Sequence, residues 1–163
     1  MATGRTVTKW MRFCVDDSAG TAREIPVDSI SPVGFTYDEN DVTAFQDAVK
    51  GYLAGHPDAP IDITGPFDNS IAAAVAASGL KPALSGSHTV LYNLAGGSTP
   101  LALFIGWGIR GYWTTGDPAF GVVTASSTEG YLCTKYQVEG EKYSARFVPY
   151  PGSTPAWGTA LIA

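Results

Sequence analysis

From His88 onward the chain is cut into short strand-forming segments by turn residues, and this punctuation limits the fold more than any other feature of the sequence. Thr89–Leu94 is followed by Gly96-Gly97-Ser98, Leu101–Trp113 by Thr114–Asp117, and Tyr131–Val138 by Gly140. Ala119–Ser126, Tyr143–Val148 and Trp157–Ile162 complete the series. Segments of this length, bounded by Gly, Pro, Ser and Asp, read as strands joined by turns. Gly106, Gly108 and Gly111 interrupt the longest of them and predict a bend or bulge.

The first half mixes two periods. Lys9–Val15 alternates, with Trp10, Arg12 and Cys14 on one face and Met11, Phe13 and Val15 on the other. Asp16-Asp17-Ser18-Ala19-Gly20 is a turn, and Arg23–Ile30 is a second extended segment. Pro26 within it removes a ladder donor, which predicts an edge or a bulge. Val33–Tyr37 and Ile61–Thr64 are further strands, the latter stopped by Gly65-Pro66. Between them Val42, Phe45, Val49, Tyr52 and Leu53 recur at three-to-four spacing. That spacing predicts an amphipathic helix over Asp41–Leu53, capped by Asp41 and ended by Gly55 and Pro57, or a long loop holding one helical turn. The alanine-rich Asp68–Gly79 is a second helix candidate with a thin apolar face. Eight or nine strands with one or two helices define a mainly β (α+β) class. The 163 residues suit one domain, with residues 1–7 as a flexible arm.

Composition bears on function. Charged residues are 15%, against about a quarter in an average soluble protein, while hydrophobic residues are 45%. A surface so poor in charge suits a chain that covers itself with copies of itself. The formal net charge of −5, with no basic run, argues against gripping nucleic-acid phosphates and is compatible with a surface that DNA slides past. Cys14 and Cys133 lie among apolar or β-branched neighbours, without metal spacing, and read as buried free thiols, with a disulfide between the two as the alternative. The N-terminal MATGRTVTKWMRF has no apolar stretch of signal-peptide length, and no run is long enough to span a membrane. The expectation is a chain made in a host cytoplasm and soluble until it assembles.

Catalytic chemistry has little to work with. His56 and His88 are the only histidines, and there is no GxSxG. Gly106-x-Gly108-x-x-Gly111 matches a dinucleotide motif by letter only, because no helix follows it. Ser85-Gly86-Ser87-His88 reads as a loop entering a strand, and the acidic Asp38-Glu39-Asn40-Asp41 as a solvated turn that caps the following helix. The chain is therefore expected to be no enzyme and to need no cofactor, metal or small-molecule substrate. Trp107, Tyr112 and Trp113 on one glycine-broken strand suit a core, a subunit contact or a carbohydrate platform.

Three stretches carry a resemblance. They are Val15-Asp16-Asp17 through Ile30; Asp41-Val42-Thr43-Ala44-Phe45 with Ala48–Gly55 and Ile61–Asn69; and Gly116-Asp117-Pro118-Ala119-Phe120 with the closing Trp157–Leu161. Together they resemble the tail tube (major tail) protein family of tailed bacteriophages. The resemblance implies a β-sandwich or partly closed barrel with one or two flanking helices. It also implies hexameric rings stacked into a DNA conduit, with DNA passing unbound, and a place in the virion beside other virion proteins. Thr36–Pro60 would then be the helix and long loop that bridge subunits or rings. The candidate subunit-contact residues are Phe45, Val49, Tyr52, Leu53, Phe67, Trp107 and Trp113. A capsid decoration protein and a carbohydrate-binding module fit the same composition.

Overall fold

The computed structural model describes residues 4–76, 83–109 and 116–159. In chain order its elements are a 3-10 turn at Thr8–Trp10, then β1 (Met11–Asp16), β2 (Ala22–Glu24), β3 (Ser29–Ile30), β4 (Thr36–Asp41), β5 (Tyr52–Asp58) and β6 (Ile61–Pro66). There follow α1 (Ser87–Leu91), β7 (Leu103–Trp107), β8 (Pro118–Val122), β9 (Tyr131–Glu139), β10 (Lys142–Pro149) and β11 (Ala156–Thr159). Two antiparallel sheets form a sandwich, the first in the order β11-β8-β7-β1-β2 and the second in the order β3-β6-β10-β9. The chain is mainly β, as its segment pattern predicts.

The strands fold this way because alternation hands each sheet one apolar face. On β10, Tyr143, Ala145 and Phe147 point inward while Lys142, Ser144 and Arg146 point out. Ile61 and Ile63 of β6 do the same beside them. These meet Phe13 and Val15 of β1 and Leu103 and Ile105 of β7 in one core, where the rings of Phe13 and Phe147 lie 5.6 Å apart. Each fully buried large apolar side chain of this kind stabilises the fold by about 1.5–3 kcal/mol. β1 is buried on both faces, since Cys14 packs outward against Phe104, Ala119 and Val75. Leu101 and Tyr131 exchange backbone hydrogen bonds of 2.9 and 2.8 Å, which stitches the two sheets together along one seam. The sandwich is thus partly closed.

Four local expectations are corrected. The helix predicted over Asp41–Leu53 is absent: β4 and β5 pair as an antiparallel hairpin, from Thr36 opposite Asp58 to Asp41 opposite Tyr52. Helices draw most of their stability from packing an apolar face, and among the described residues this segment packs on no surface of its own chain. The acidic Asp38–Asp41 therefore lies in a strand and not in a capping turn, and Pro57, expected to end the helix, lies within β5.

Residues 68–76 are not helical either, and residues 77–82 lie outside the described part. The Asp68 carboxylate accepts the Ser70 amide (2.8 Å), and Ser85 Oγ accepts the Ala73 amide (2.8 Å), so the local donors of a first helical turn are used in loops. Val75 instead covers the outer face of the five-stranded sheet, and Ala76 is buried. Ser85-Gly86-Ser87-His88 leads into α1, where a strand is expected over Thr89–Leu94. Val90, Leu91 and Leu94 are all buried, a three-to-four spacing on one helical face that the β-rich surroundings mask in the sequence. Finally, Arg23–Ile30 is not one strand. Pro26 divides it, leaving β2 on one sheet and β3 on the other.

Candidate assembly interface

The most exposed large apolar residue among the described ones, Phe45, lies with five others on the arm formed by β4, the turn 42–51 and β5. β3 and β6 pair antiparallel (Ser29 opposite Thr64, Ile30 opposite Ile63), and the Ser31 amide extends this to the Asp62 carbonyl at 2.8 Å. Pairing lapses at 32–35 and resumes at Thr36 with Asp58. The arm is therefore the distal half of one long hairpin whose proximal half belongs to the second sheet. Every residue of β4 is exposed, and every residue of β5 except Gly55.

The tip is organised by its own polar groups. Asp41 Oδ1 accepts the Thr43 amide (2.9 Å), Thr43 Oγ1 accepts the Gly51 amide (2.9 Å), and Asp47 Oδ2 accepts the Ala44 amide (2.8 Å). The hydrogen bonds from Thr43 hold the Asp41 carboxyl below its usual range. The root is held from the body. Phe35 meets Phe120 edge to face at 5.3 Å, and the buried Tyr131 hydroxyl donates to the Ala59 carbonyl at 3.3 Å. Trp157 lies over Gly34, whose φ of +131° and close ring contact (3.3 Å to a Cβ built there) both favour glycine.

This construction leaves Phe45 fully exposed and Val49 at 78%, with Val42, Leu53, Tyr52 and Tyr37 also about half open or more. Single exposed apolar residues are ordinary, but six on one hairpin form the kind of patch that marks an interaction site. The same segment, 36–58, carries Asp38, Glu39, Asp41, Asp47 and Asp58 against Lys50 alone, a formal −4 out of the chain's −5. The arm is at once apolar and acidic.

Of the seven candidate contact residues, the structure gathers four on the arm: Phe45 and Val49 on its tip, Tyr52 and Leu53 at the start of β5. Phe67 follows the other end of β6 and stacks on His88 at 4.8 Å, beside Tyr92 and Tyr136. Trp107 is half-buried at the end of β7, 5.5 Å from Trp157. Trp113 lies outside the described residues. Sequence reasoning missed Val42, Tyr37 and Trp157. The first two share the strand-turn-strand segment read as helix and loop, and Trp157 is exposed only because β11 is an edge strand.

Arg12 and Glu24, both buried, form an ion pair at 3.0 Å that ties β2 to β1. Burial pushes the Glu24 carboxyl up, against the opposing pull of Arg12. Removing one partner of such a buried pair costs about 3–5 kcal/mol. Cys14 and Cys133 are free, and burial raises both thiols above the usual range. Among the described residues no group of three or more His, Cys, Asp or Glu is placed to share a metal ion. No helix among them is long and apolar enough to cross a membrane.

No protein-family profile and no curated protein sequence matches the chain. Solved structures do match in fold, and the class they define is the mainly β fold of chains in contractile, phage-tail-like particles. A chain in the cryo-EM structure of the anti-feeding prophage baseplate, 6-fold symmetrised, is similar with a TM-score of 0.59 at 9% identity, covering 96% of this chain and 97% of that one. A chain of the anti-feeding prophage tube-terminating cap gives 0.55 at 9% identity, covering 98% and 95%. The sheath-tube complex of an extracellular contractile injection system, PVC, contains another at 0.50 and 11%, covering 96% and 93%. At these identities the likeness establishes the fold, and it does so over almost the whole length of both partners.

Proposed function

We propose that this chain is a structural subunit of a phage-tail-like particle and, within that class, a tube subunit that assembles into stacked hexameric rings. It acts by self-assembly and by contact with other proteins of the particle, without a catalytic step. DNA passes through the lumen of the rings without specific binding. Support for the class comes from full-length fold likeness to chains in a 6-fold symmetrised baseplate, a tube-terminating cap and a sheath-tube complex.

The observation that carries the reading is the arm. A hairpin that exposes Phe45 and Val49 at its tip while being anchored at its root by Phe35 and Ala59 is built to reach another molecule. Burying such side chains in a neighbour is favourable by roughly 25 cal/mol per Å² of apolar surface, repeated at every contact of a symmetric assembly. The purified chain is expected to form rings or tubes when viewed by negative-stain microscopy. Dispersed particles that attach only to assembled phage heads would replace this reading with that of a decoration protein.

A further inference from the structure

We infer that the open seam of the sandwich is the receptor for the arm of a second copy, so that copies join head to tail; the inference rests on the assembly reading above. Among the described residues no ladder joins β2 to β3 across the seam opposite the Leu101–Tyr131 stitch, where the Ser85 amide donates to the Glu24 carbonyl at 2.7 Å. There, between the edge strands β2 and β3, runs a groove of about 620 Å³. Its walls are mainly apolar, with Met11, Ile25, Val27, Ile30 and Leu84 among them.

Three observations point to an arm from another copy as its occupant. The first is polarity along β6. The arm leaves the body at the Ile61 end, where only Ala59 and Pro60 separate β5 from β6. The groove is lined by Pro66 at the other end of β6, roughly 17 Å away at about 3.3 Å per residue. The hairpin therefore runs away from its own groove, whereas a copy displaced along the strand direction brings its arm toward it. A contact between two different patches on identical chains is heterologous and repeats without limit in a stack.

The second observation is size and chemistry. The groove has room for the ring of Phe45 with Val42 or Val49 beside it, and its walls match their apolar character. The third is charge. Within the groove Glu24 is neutralised by Arg12, and Asp28 by Lys142 at 2.7 Å. The exposed Lys9 on the rim then leaves a net positive edge facing an arm of formal charge −4. Lys142, itself exposed, stands opposite Pro66 at the same end.

The test uses thiol cross-linking between full-length chains. Gln46→Cys, an exposed position beside Phe45, is placed on one batch of protein and Ser29→Cys, an exposed groove-side position on β3, on another. The two are mixed, assembled and treated with a short bismaleimide, with wild-type protein setting the background from the buried Cys14 and Cys133. Cross-linked dimers are expected from the mixture and not from either variant alone. The variant carrying both substitutions is expected to give a ladder of higher multimers. Rings or tubes that form without such dimers would overturn the groove assignment and leave the assembly reading standing. A link confined within single chains of the double variant would make the chain's own arm the occupant and overturn it equally. Absence of rings, tubes and dimers together would overturn both.

Discussion

Two hairpins of this chain share antiparallel pairing of consecutive strands and have opposite surroundings. In β9–β10, Tyr143, Ala145 and Phe147 alternate with polar residues, and the inward set is buried to 1% exposure or less. In β4–β5 the ladder is shorter, five paired positions against eight, and no side chain is buried on either face. The first hairpin is held by the core beneath it. The second relies on its ladder, on the Asp41, Thr43 and Asp47 contacts at its tip and on the anchors at its root. A two-stranded hairpin is marginal alone in water, so an arm of this kind is stabilised from its root and completed by whatever it docks on. On the proposed reading, stability and assembly fall to different parts of one chain.

The largest effect expected from breaking this division is in the body. Phe147→Ala removes a fully buried ring stacked near Phe13 and should cost about 3–5 kcal/mol in denaturant unfolding, whether or not the protein is assembled. The counterpart on the arm is Val49→Asp. Its side chain is exposed, so unfolding of the dispersed chain should change by no more than about 0.5 kcal/mol. Assembly into rings or tubes, followed by sedimentation and microscopy, should be lost. A loss of more than about 1 kcal/mol in the dispersed chain would show that the arm packs on its own body.

The smallest effect concerns the surface ties of the body. The Glu129 carboxylate accepts the Thr154 amide at 2.8 Å and the Thr154 and Ser153 hydroxyls at 3.2 Å, joining the turn before β9 to the approach to β11. These bonds, that of the Thr154 amide first, hold the carboxyl below its usual range. A carboxyl lowered in the folded state contributes stability above its unfolded pKa, and this is lost as pH falls through the folded value. Glu129→Gln should therefore be slightly less stable than wild type at neutral pH. The difference should vanish in thermal melts below about pH 4.

Much of the body could be read in advance, and the reason is local. Alternation over 11–15, 61–64 and 143–148 identifies strands because one face of each must be covered, whatever covers it. The free thiols follow equally from residue chemistry, and Pro26 signalled an irregularity though not that it would divide the segment between two sheets. The seven candidate contact residues were legible as large apolar or aromatic side chains, but not as members of one surface. Phe45, Val49, Tyr52 and Leu53 share the arm, while Phe67 and Trp107 stack elsewhere on His88 and Trp157. The groove was invisible, since it is assembled from residues 8–30, 66 and 84.

The segment 41–53 shows where the boundary lies. Apolar residues three and four apart describe an amphipathic helix only if some surface receives the apolar side. Among the described residues no such surface receives this segment within the body, and its own residues satisfy their backbone groups by pairing as a hairpin instead. Local spacing carries what each residue prefers to be near. Whether that neighbour lies beneath the segment, as for Phe147, or must be found on another molecule, as proposed for Phe45, depends on long-range placement of the two sheets and the seam left open between them.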